Sequence, residues 1–277
     1  MRNGIRTDLA CERKGCEQGE RYTLHGCSVS KSRERAGGEE VEYACVYLPP
    51  EATILGDCSP VRAVATLLEE AAARIAPRAG CVLVACLGNE RITPDSLGPC
   101  TARALQVTRH VQLLDPAAFS LFGRGSLCMV VPGVLGETGV EAAELVRGAA
   151  REVGAELVIA VDALAAGNPA HLGRVVQICE RGLRPGSGVG NRRVPVDEAR
   201  VGCPVLSIGV PTVIDSGTLL CDVLHRAGIC GVGEALEQHL LRVGRFLVAP
   251  ADIDLTVARC GTLLARAIGS CFGPVEA

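Results

Sequence analysis

Aromatic residues are scarce in this sequence of 277 residues: they make up 3% of it, and tryptophan is absent. A hydrophobic core must therefore be built from small and aliphatic side chains, which supply most of the 48% hydrophobic content. This composition is typical of helices packed on a parallel sheet, whose strands are buried on both faces. We therefore expect an α/β fold with a core large enough for one domain.

Long apolar runs and an excess of basic charge are also missing. No apolar run approaches the roughly 18 residues of a membrane-spanning helix, and the charged N-terminus lacks the apolar core of a signal peptide. The formal net charge is −3, and lysine occurs only at Lys14 and Lys31. Such a chain has no general basic field for nucleic acid. We expect a cytosolic protein that binds neither membranes nor nucleic acid directly.

Close cysteine pairs are the last notable absence, because the sequence has fifteen cysteines and none are spaced C-x-x-C. A zinc site normally shows such pairs, and a disulfide framework normally belongs to a short secreted chain. We interpret most of these cysteines as small apolar core residues in a reducing compartment. Neither a metal nor another cofactor is expected.

The chain divides into two regions. Residues 1–58 are predicted to form a charged, partly irregular N-terminal arm, because eight basic and eight acidic side chains are mixed over residues 1–42. Residues 59–277 are predicted to form one α/β domain that carries any catalytic site. Its alternating elements favour right-handed crossovers and a three-layer domain with a mostly parallel sheet. Strands are predicted over 81–87, 127–131, 157–161, 174–178 and 205–210, and helices over 59–76, 93–108, 140–153, 217–227 and 251–268.

Two aspartates stand out near predicted strand ends. Asp162 is predicted to end the strand 157–161, and Asp95 lies in the first turn of a predicted helix, where the helix dipole also favours a carboxylate. Functional groups of open α/β sheets gather beyond the carboxyl ends of the strands, so the loops 87–99, 131–142 and 161–168 should converge. Two neighbouring carboxylates do not both ionise easily. One could then serve as a base and the other as an acid for hydrolysis of an amide by water.

Other polar groups are interpreted more simply. The glycine-rich segment 182–193 lacks the Gly-Lys-Ser/Thr ending and the following helix of a phosphate loop, so its glycines are expected to permit a tight turn or a close approach to a peptide. His171 is interpreted as a surface residue. Asp215 is interpreted as a second acid near the site or, in preference, as a helix N-cap. Ser187 and Ser216 have no evident His–Asp partners, which argues against a serine mechanism.

Six segments, in order along the chain, resemble the spore germination protease family, and the stretch 248–268 is similar to the C-terminal helix of that family. The six segments are IRTDLACE (5–12), LGNERITPDSLGP (87–99), VPGVLGETGVEA (131–142), VIAVDALAA (158–166), PGSGVGNRR (185–193) and PVLSIGVPTVIDSGT (204–218).

The resemblance implies an aspartic-type endopeptidase, made as a zymogen, that initiates degradation of small acid-soluble spore proteins in the spore core during germination. The two essential aspartates of the family correspond to Asp95 and Asp162. The implied fold is similar to that of hydrogenase maturation proteases (phosphorylase/hydrolase-like), and the family forms homotetramers. Further residues of these motifs are predicted to bind substrate or to support the pair: Asn89, Thr93, Gly133, Glu141, Ser187, Asn191 and Asp215.

The sequence departs from the family at its periphery. Only Met1–Gly4 precede IRTDLA, where family members carry a propeptide, so self-activation is not expected. A Gly/Lys-rich segment is not recognisable in 13–58, an insertion after Asp222 is nearly absent, and Gly167–Asn168 replaces an arginine that usually follows VDALAA. Two alternatives stay open. One is a metal-assisted maturation-type protease that uses Asp95, Asp162 and His171, and the other is a non-catalytic paralogue that binds spore proteins.

Overall fold

The computed structural model describes residues 6–13, 19–36, 39–49, 57–121, 125–186, 193–229, 239 and 246–274. The strands are β1 (Glu20–Leu24), β2 (Cys27–Ala36), β3 (Glu39–Tyr47), β4 (Cys81–Cys86), β5 (Ser126–Val130), β6 (Leu157–Ala166), β7 (Val175–Cys179), β8 (Val205–Asp215) and β9 (Leu247–Val248). The helices are α1 (Ser59–Ile75), α2 (Leu97–Ala104), α3 (Arg109–Leu114), α4 (Pro116–Ser120), α5 (Leu135–Thr138), α6 (Ala142–Val153), α7 (Glu198–Val201), α8 (Ser216–Arg226) and α9 (Ile253–Phe272). Short 3-10 turns span Ala10–Glu12, Thr93–Asp95 and Pro169–His171.

These strands form one sheet in the order β1-β2-β3-β7-β8-β6-β4-β5, with β9 paired to β8. The four strands β8, β6, β4 and β5 run parallel to one another. The pairs that join β1, β2, β3, β7 and β8 are antiparallel, as is the pair of β8 with β9. The α/β domain is therefore as expected, with a parallel part that carries the predicted motifs and an antiparallel extension beyond β8.

Helices cover both faces of the sheet and make three layers. Helices α1, α2 and α9 pack on one face, where Leu68, Leu97 and Leu264 belong to one buried cluster with the strands. Helices α6 and α7 pack on the other face through Val146 and Val201. The parallel strands β4, β6 and β8 are thus buried on both sides, which explains their near-continuous apolar sequences.

Several element boundaries differ from the sequence-based prediction. The helix predicted over 93–108 is divided into the turn Thr93–Asp95, helix α2 and an extended link, because the Thr108 N–H leaves the helix to donate to the Leu127 carbonyl at 2.9 Å. The strand predicted to end near Asp162 continues to Ala166. Asp162 therefore lies inside a strand, and the prediction that it ends one is wrong.

The prediction of an irregular N-terminal arm is wrong for residues 20–36 and 39–47. These residues form β1, β2 and β3, which extend the same sheet. His25 and Gly26 make the two-residue turn between β1 and β2, and both have positive φ angles (48° and 79°). Such a turn matches the twist of an antiparallel hairpin. The segment is therefore part of the domain rather than a solvated tail.

The mixed charges of residues 1–42 predicted an irregular arm, but several of these charged side chains pair across neighbouring strands. Glu42 on β3 is buried and lies 3.0 Å from Arg33 on β2 and 2.9 Å from Arg74 on α1. Lys31 on β2 lies 3.9 Å from the same carboxylate. Opposite charges on neighbouring strands stabilise a sheet, so a mixed charge pattern is compatible with strands as well as with a tail.

Candidate active site

Asp162 lies on β6 immediately after the last residue that pairs with β4. Pairing of β6 with β4 stops at Val161, whereas pairing with β8 continues beyond it. The Asp162 side chain is 5% exposed, and its Oδ1 accepts a hydrogen bond from the Ala163 N–H at 2.9 Å. Burial raises the pKa of Asp162 well above its ordinary value, and the negative charges of Asp95 and then Asp8 raise it further. Both effects favour the protonated form of Asp162 over its carboxylate.

Glycine opposite Asp162 lets the two strands approach closely. Gly209 on β8 is the register partner of Asp162, and a Cβ at Gly209 would lie 2.5 Å from the Asp162 carbonyl oxygen and 2.8 Å from Leu164 Cγ. The absence of a side chain at this position therefore fixes how tightly Asp162 is held against β8.

Asp95 reaches the site on the loop that follows β4. Gly88 turns the chain with a φ of 116°, and the Asn89 N–H then donates to Asp95 Oδ2 at 2.9 Å and to the Asp95 carbonyl at 3.1 Å. Burial raises the pKa of Asp95, while the hydrogen bond from Asn89 favours its ionised form. Of the two aspartates, Asp95 is the more exposed and the better suited to carry the negative charge.

A third carboxylate, Asp8, lies near Asp162. Residues 6–13, which we call the N-terminal strap, run next to the end of β6. The Asp8 N–H donates to the Ala165 carbonyl at 2.9 Å, and Asp8 Oδ2 accepts from the Ala165 N–H at 2.9 Å. The negative charge of Asp8 contributes to the raised pKa of Asp162. Sequence reasoning did not single out this residue, although it lies in the IRTDLACE motif.

Glu12 anchors the N-terminal strap. Its side chain is 7% exposed, and its Oε1 accepts from the Asn168 N–H at 2.9 Å and lies 2.7 Å from His171 Nδ1. Its Oε2 accepts from the Gly167 N–H and from the Thr7 hydroxyl. The His171 side chain is only 21% exposed, so His171 is not the surface residue that the sequence predicted. Its hydrogen bond to Glu12 raises its pKa.

A cavity of about 240 Å³ opens beside Asp162. Strand residues Gln177 and Ser207 line it, and Asp8 and Arg13 of the N-terminal strap line its other side. Asp95 is outside this lining, so the cavity lies on the Asp8 side of Asp162. The cavity therefore brings open space and several polar side chains next to the Asp162 carboxyl.

Comparison with known proteins assigns the chain to a family. Residues 61–227, more than half of the chain, match the model of the germination protease family (peptidase A25). The chain belongs to the germination protease family. Membership implies a peptidase that acts in spore germination, and the matched segment includes Asp95, Asp162 and Asp215.

Individual germination proteases resemble the chain over most of its length. The protein of Clostridium acetobutylicum is 30% identical over an alignment of 317 positions that covers 98% of this chain and 96% of the relative. That of Caldanaerobacter subterraneus subsp. tengcongensis is 36% identical over 243 positions, covering 80% and 73%. Among solved structures, the [NiFe] hydrogenase maturation protease HycI of Thermococcus kodakarensis matches with a TM-score of 0.39 at 16% identity, covering 73% of this chain and 98% of that one.

The structure also shows where most of the other predicted site residues of this germination protease lie. Asp215 is the N-cap of α8, as preferred from the sequence, and accepts from the Thr218 N–H at 3.1 Å. Glu141 is the N-cap of α6 in a reciprocal capping box with Glu144. Thr93 begins the 3-10 turn of Asp95, and Gly133 turns the chain after β5 with a φ of 68°. Ser187 and Asn191 lie outside the described residues.

The residues offered for a metal-assisted germination protease do not form a ligand set. His171 pairs with Glu12 and contacts the Tyr47 ring edge-on, with 5.9 Å between ring centroids. In the part of the chain that the structure describes, no three His, Cys, Asp or Glu side chains are grouped to hold a metal ion. No helix in the same part is long and apolar enough to cross a membrane.

Proposed function

We propose that this germination protease is an aspartic-type endopeptidase in which Asp162 holds a proton and Asp95 is the carboxylate. The observation that carries the proposal is the buried Asp162 carboxyl, whose pKa is raised by burial and by the charge of Asp95. Asp95 receives a backbone N–H on its own carboxylate, which favours its ionised form. Two carboxyl groups whose environments differ in this way provide one acid and one base at the same pH.

The two groups suit hydrolysis of a peptide bond by water. Asp95 takes a proton from a water molecule as its oxygen attacks the carbonyl carbon, and Asp162 donates its proton to the carbonyl oxygen. Collapse of the tetrahedral intermediate breaks the C–N bond, and the proton on Asp95 passes to the leaving amine. The carbonyl oxygen returns its proton to Asp162, so both groups end in their starting states.

We extend the proposal to substrate, assembly and place of action. The collinear motifs and the germination protease relatives support small acid-soluble spore proteins as substrates, with the spore core as the place of cleavage. The same resemblance supports synthesis as a zymogen and assembly into a homotetramer. Light scattering of the purified protein measures the assembly, and intact-mass measurement before and after incubation reports any processing.

Cleavage of a purified small acid-soluble spore protein by the wild type, Asp95→Asn and Asp162→Asn tests the mechanism. Loss of a general acid or base costs on the order of 10²–10⁴-fold in rate, and we expect a loss of that order in each variant. Asp115→Asn is a matched control, because Asp115 is an exposed N-cap of α4. Undiminished cleavage by either active-site variant contradicts the aspartic mechanism.

Two further outcomes distinguish the alternatives. Binding of the spore protein by the wild type without any turnover supports the non-catalytic paralogue. Loss of cleavage with a chelator, restored by a divalent metal, supports the metal-assisted protease. Cleavage that is insensitive to the chelator but abolished in both aspartate variants supports the proposal.

A further inference from the structure

Two cysteines meet where the N-terminal strap crosses the sheet. Cys45 on β3 is 1% exposed and belongs to a small apolar cluster with Leu9, and Cys11 of the strap packs against this cluster. The Cys45 thiol lies 3.9 Å from Gln177 Oε1, and the same oxygen accepts the N–H of Ala10, the neighbour of Cys11, at 2.6 Å. The fold therefore brings Cys11 and Cys45 to one cluster, where their side chains hydrogen-bond, although they are 34 positions apart in the sequence.

Cys11 is the reactive member of this pair. A hydrogen bond from Cys45 lowers the pKa of Cys11 to about 7, and a hydrogen bond from Tyr47 and the charge of His171 act in the same direction. Burial and the charge of Glu12 oppose them. Much of Cys11 is therefore thiolate at neutral pH, and its side chain is partly exposed. The thiolate is the nucleophile in exchange with disulfides.

Other cysteines of the sheet provide a contrast. Burial raises the pKa of Cys86 to about 12 and that of Cys128 to about 12. These thiols remain protonated at neutral pH and agree with the interpretation of the cysteines as apolar core residues. Cys11 departs from that interpretation because it lies at the edge of a cluster with hydrogen-bond donors and a nearby imidazole.

We propose that Cys11 and Cys45 are a redox-active pair that forms a disulfide with a low-molecular-weight disulfide as the oxidant. The Cys11 thiolate attacks the oxidant RSSR, forms a Cys11–S–S–R bond and releases RS⁻. The Cys45 sulfur then attacks the Cys11 sulfur, releases the second R–S group and passes its proton to that group. The protein loses two hydrogen atoms in total, and one RSSR is reduced to two RSH.

The disulfide would hold the N-terminal strap to β3. Asp8 and Glu12 of the strap contact the end of β6 and the turn after it. A covalent bond at Cys11 prevents the strap from leaving while Asp8 is beside Asp162. Oxidation therefore adds a covalent anchor that keeps Asp8 beside Asp162, and in the reduced protein the hydrogen bonds of Asp8 and Glu12 hold the strap.

Peptide mapping after incubation of the folded protein with oxidised glutathione tests the pair. We expect a Cys11–Cys45 cross-linked peptide in the wild type, no such peptide in Cys11→Ser or Cys45→Ser, and an unchanged yield in Cys58→Ser, a control at an exposed cysteine. A wild type that carries glutathione on Cys11 while Cys45 stays reduced contradicts the proposal. So does a cross-link that forms only in denaturant.

A second measurement tests the hydrogen bond between the two thiols. The rate of alkylation of Cys11, read by peptide mapping, should rise with pH through a midpoint of about 7. Cys45→Ala removes the donor that stabilises the thiolate, so the midpoint should move upward. Cys45→Ser retains a donor and should move it less. Equal midpoints in the wild type and Cys45→Ala would show that Cys45 does not act on Cys11.

Discussion

Replacing Glu12 by glutamine tests how firmly the N-terminal strap is anchored. The Glu12 carboxylate is 7% exposed and accepts four hydrogen bonds, from Thr7, Gly167, Asn168 and His171. Glutamine keeps one acceptor oxygen and presents an NH₂ group to donors that the other oxygen served, so two hydrogen bonds are lost. A hydrogen bond to a charged group contributes about 1.5–3 kcal/mol. The free energy of unfolding should therefore fall by about 3–6 kcal/mol, much of the 5–15 kcal/mol of a typical domain.

Denaturant unfolding followed by circular dichroism, with reductant present, measures this loss. Glu70→Gln is the matched control, because Glu70 also pairs with a cation, Lys31, at 2.6 Å but lies outside the strap and is more exposed. The free energy of unfolding of this control variant should fall by no more than about 1 kcal/mol. The wild type and Glu12→Gln are compared at pH 6 and at rising pH.

The pH dependence of this difference follows from His171. Its hydrogen bond to Glu12 raises the pKa of His171 above 6.5 in the folded state. The added stability is fully present below the unfolded pKa and is lost as the pH rises through the folded pKa. The gap between wild type and Glu12→Gln should therefore narrow as the pH rises. A loss below about 1 kcal/mol at pH 6, or a gap that widens with pH, would refute the reasoning.

Two further predictions concern the proposed catalytic pair, Asp95 and Asp162. The pKa values of Asp95 and Asp162 are both raised, and that of Asp162 more strongly. We therefore expect kcat/KM to fall as the pH drops through the pKa of Asp95 and again as the pH rises through the pKa of Asp162. A value of kcat/KM that is flat from pH 4 to 9 would contradict these roles. In Gly88→Ala the new Cβ meets the Asp95 carbonyl oxygen at 2.0 Å at a φ of 116°, so the loop must shift, and we expect at least a tenfold loss of kcat/KM. Gly136→Ala, where a Cβ meets nothing within 4 Å, should retain wild-type activity.

The parallel part of the sheet was predictable because burial on both faces leaves a plain signal in the sequence. Strands β4 and β5 are continuous apolar runs, and helix α1 begins at Ser59–Pro60 as its sequence indicates. The length of β6 was not predictable in this way. An aspartate in a run of apolar residues looks like the end of a strand, and only pairing with β8 shows that the strand continues.

The site was predictable in part, for a related reason. Asp162 follows an apolar run and Asp95 follows a helix-start pattern at Thr93–Pro94, so both could be found from local patterns. Asp8 could not, because it meets β6 through hydrogen bonds to Ala165, 157 positions away. Such a long-range contact leaves no periodicity and no characteristic spacing in the sequence. The capping roles of Glu141 and Asp215 are local, and that of Asp215 was the preferred interpretation of its sequence context.

The N-terminal strap has a consequence for the order of folding. Several anchors of the strap lie late in the chain: the Arg6 N–H donates to the Thr218 hydroxyl, 212 positions away, and Glu12 binds residues 167–171. Contacts between such distant positions form slowly, because a long loop must close before any of them is made. The strap is therefore among the last segments of the domain to reach its final position. Asp8 joins Asp162 only after the strands and α8 have been synthesised and packed, so the third carboxylate of the site arrives when the domain is otherwise complete.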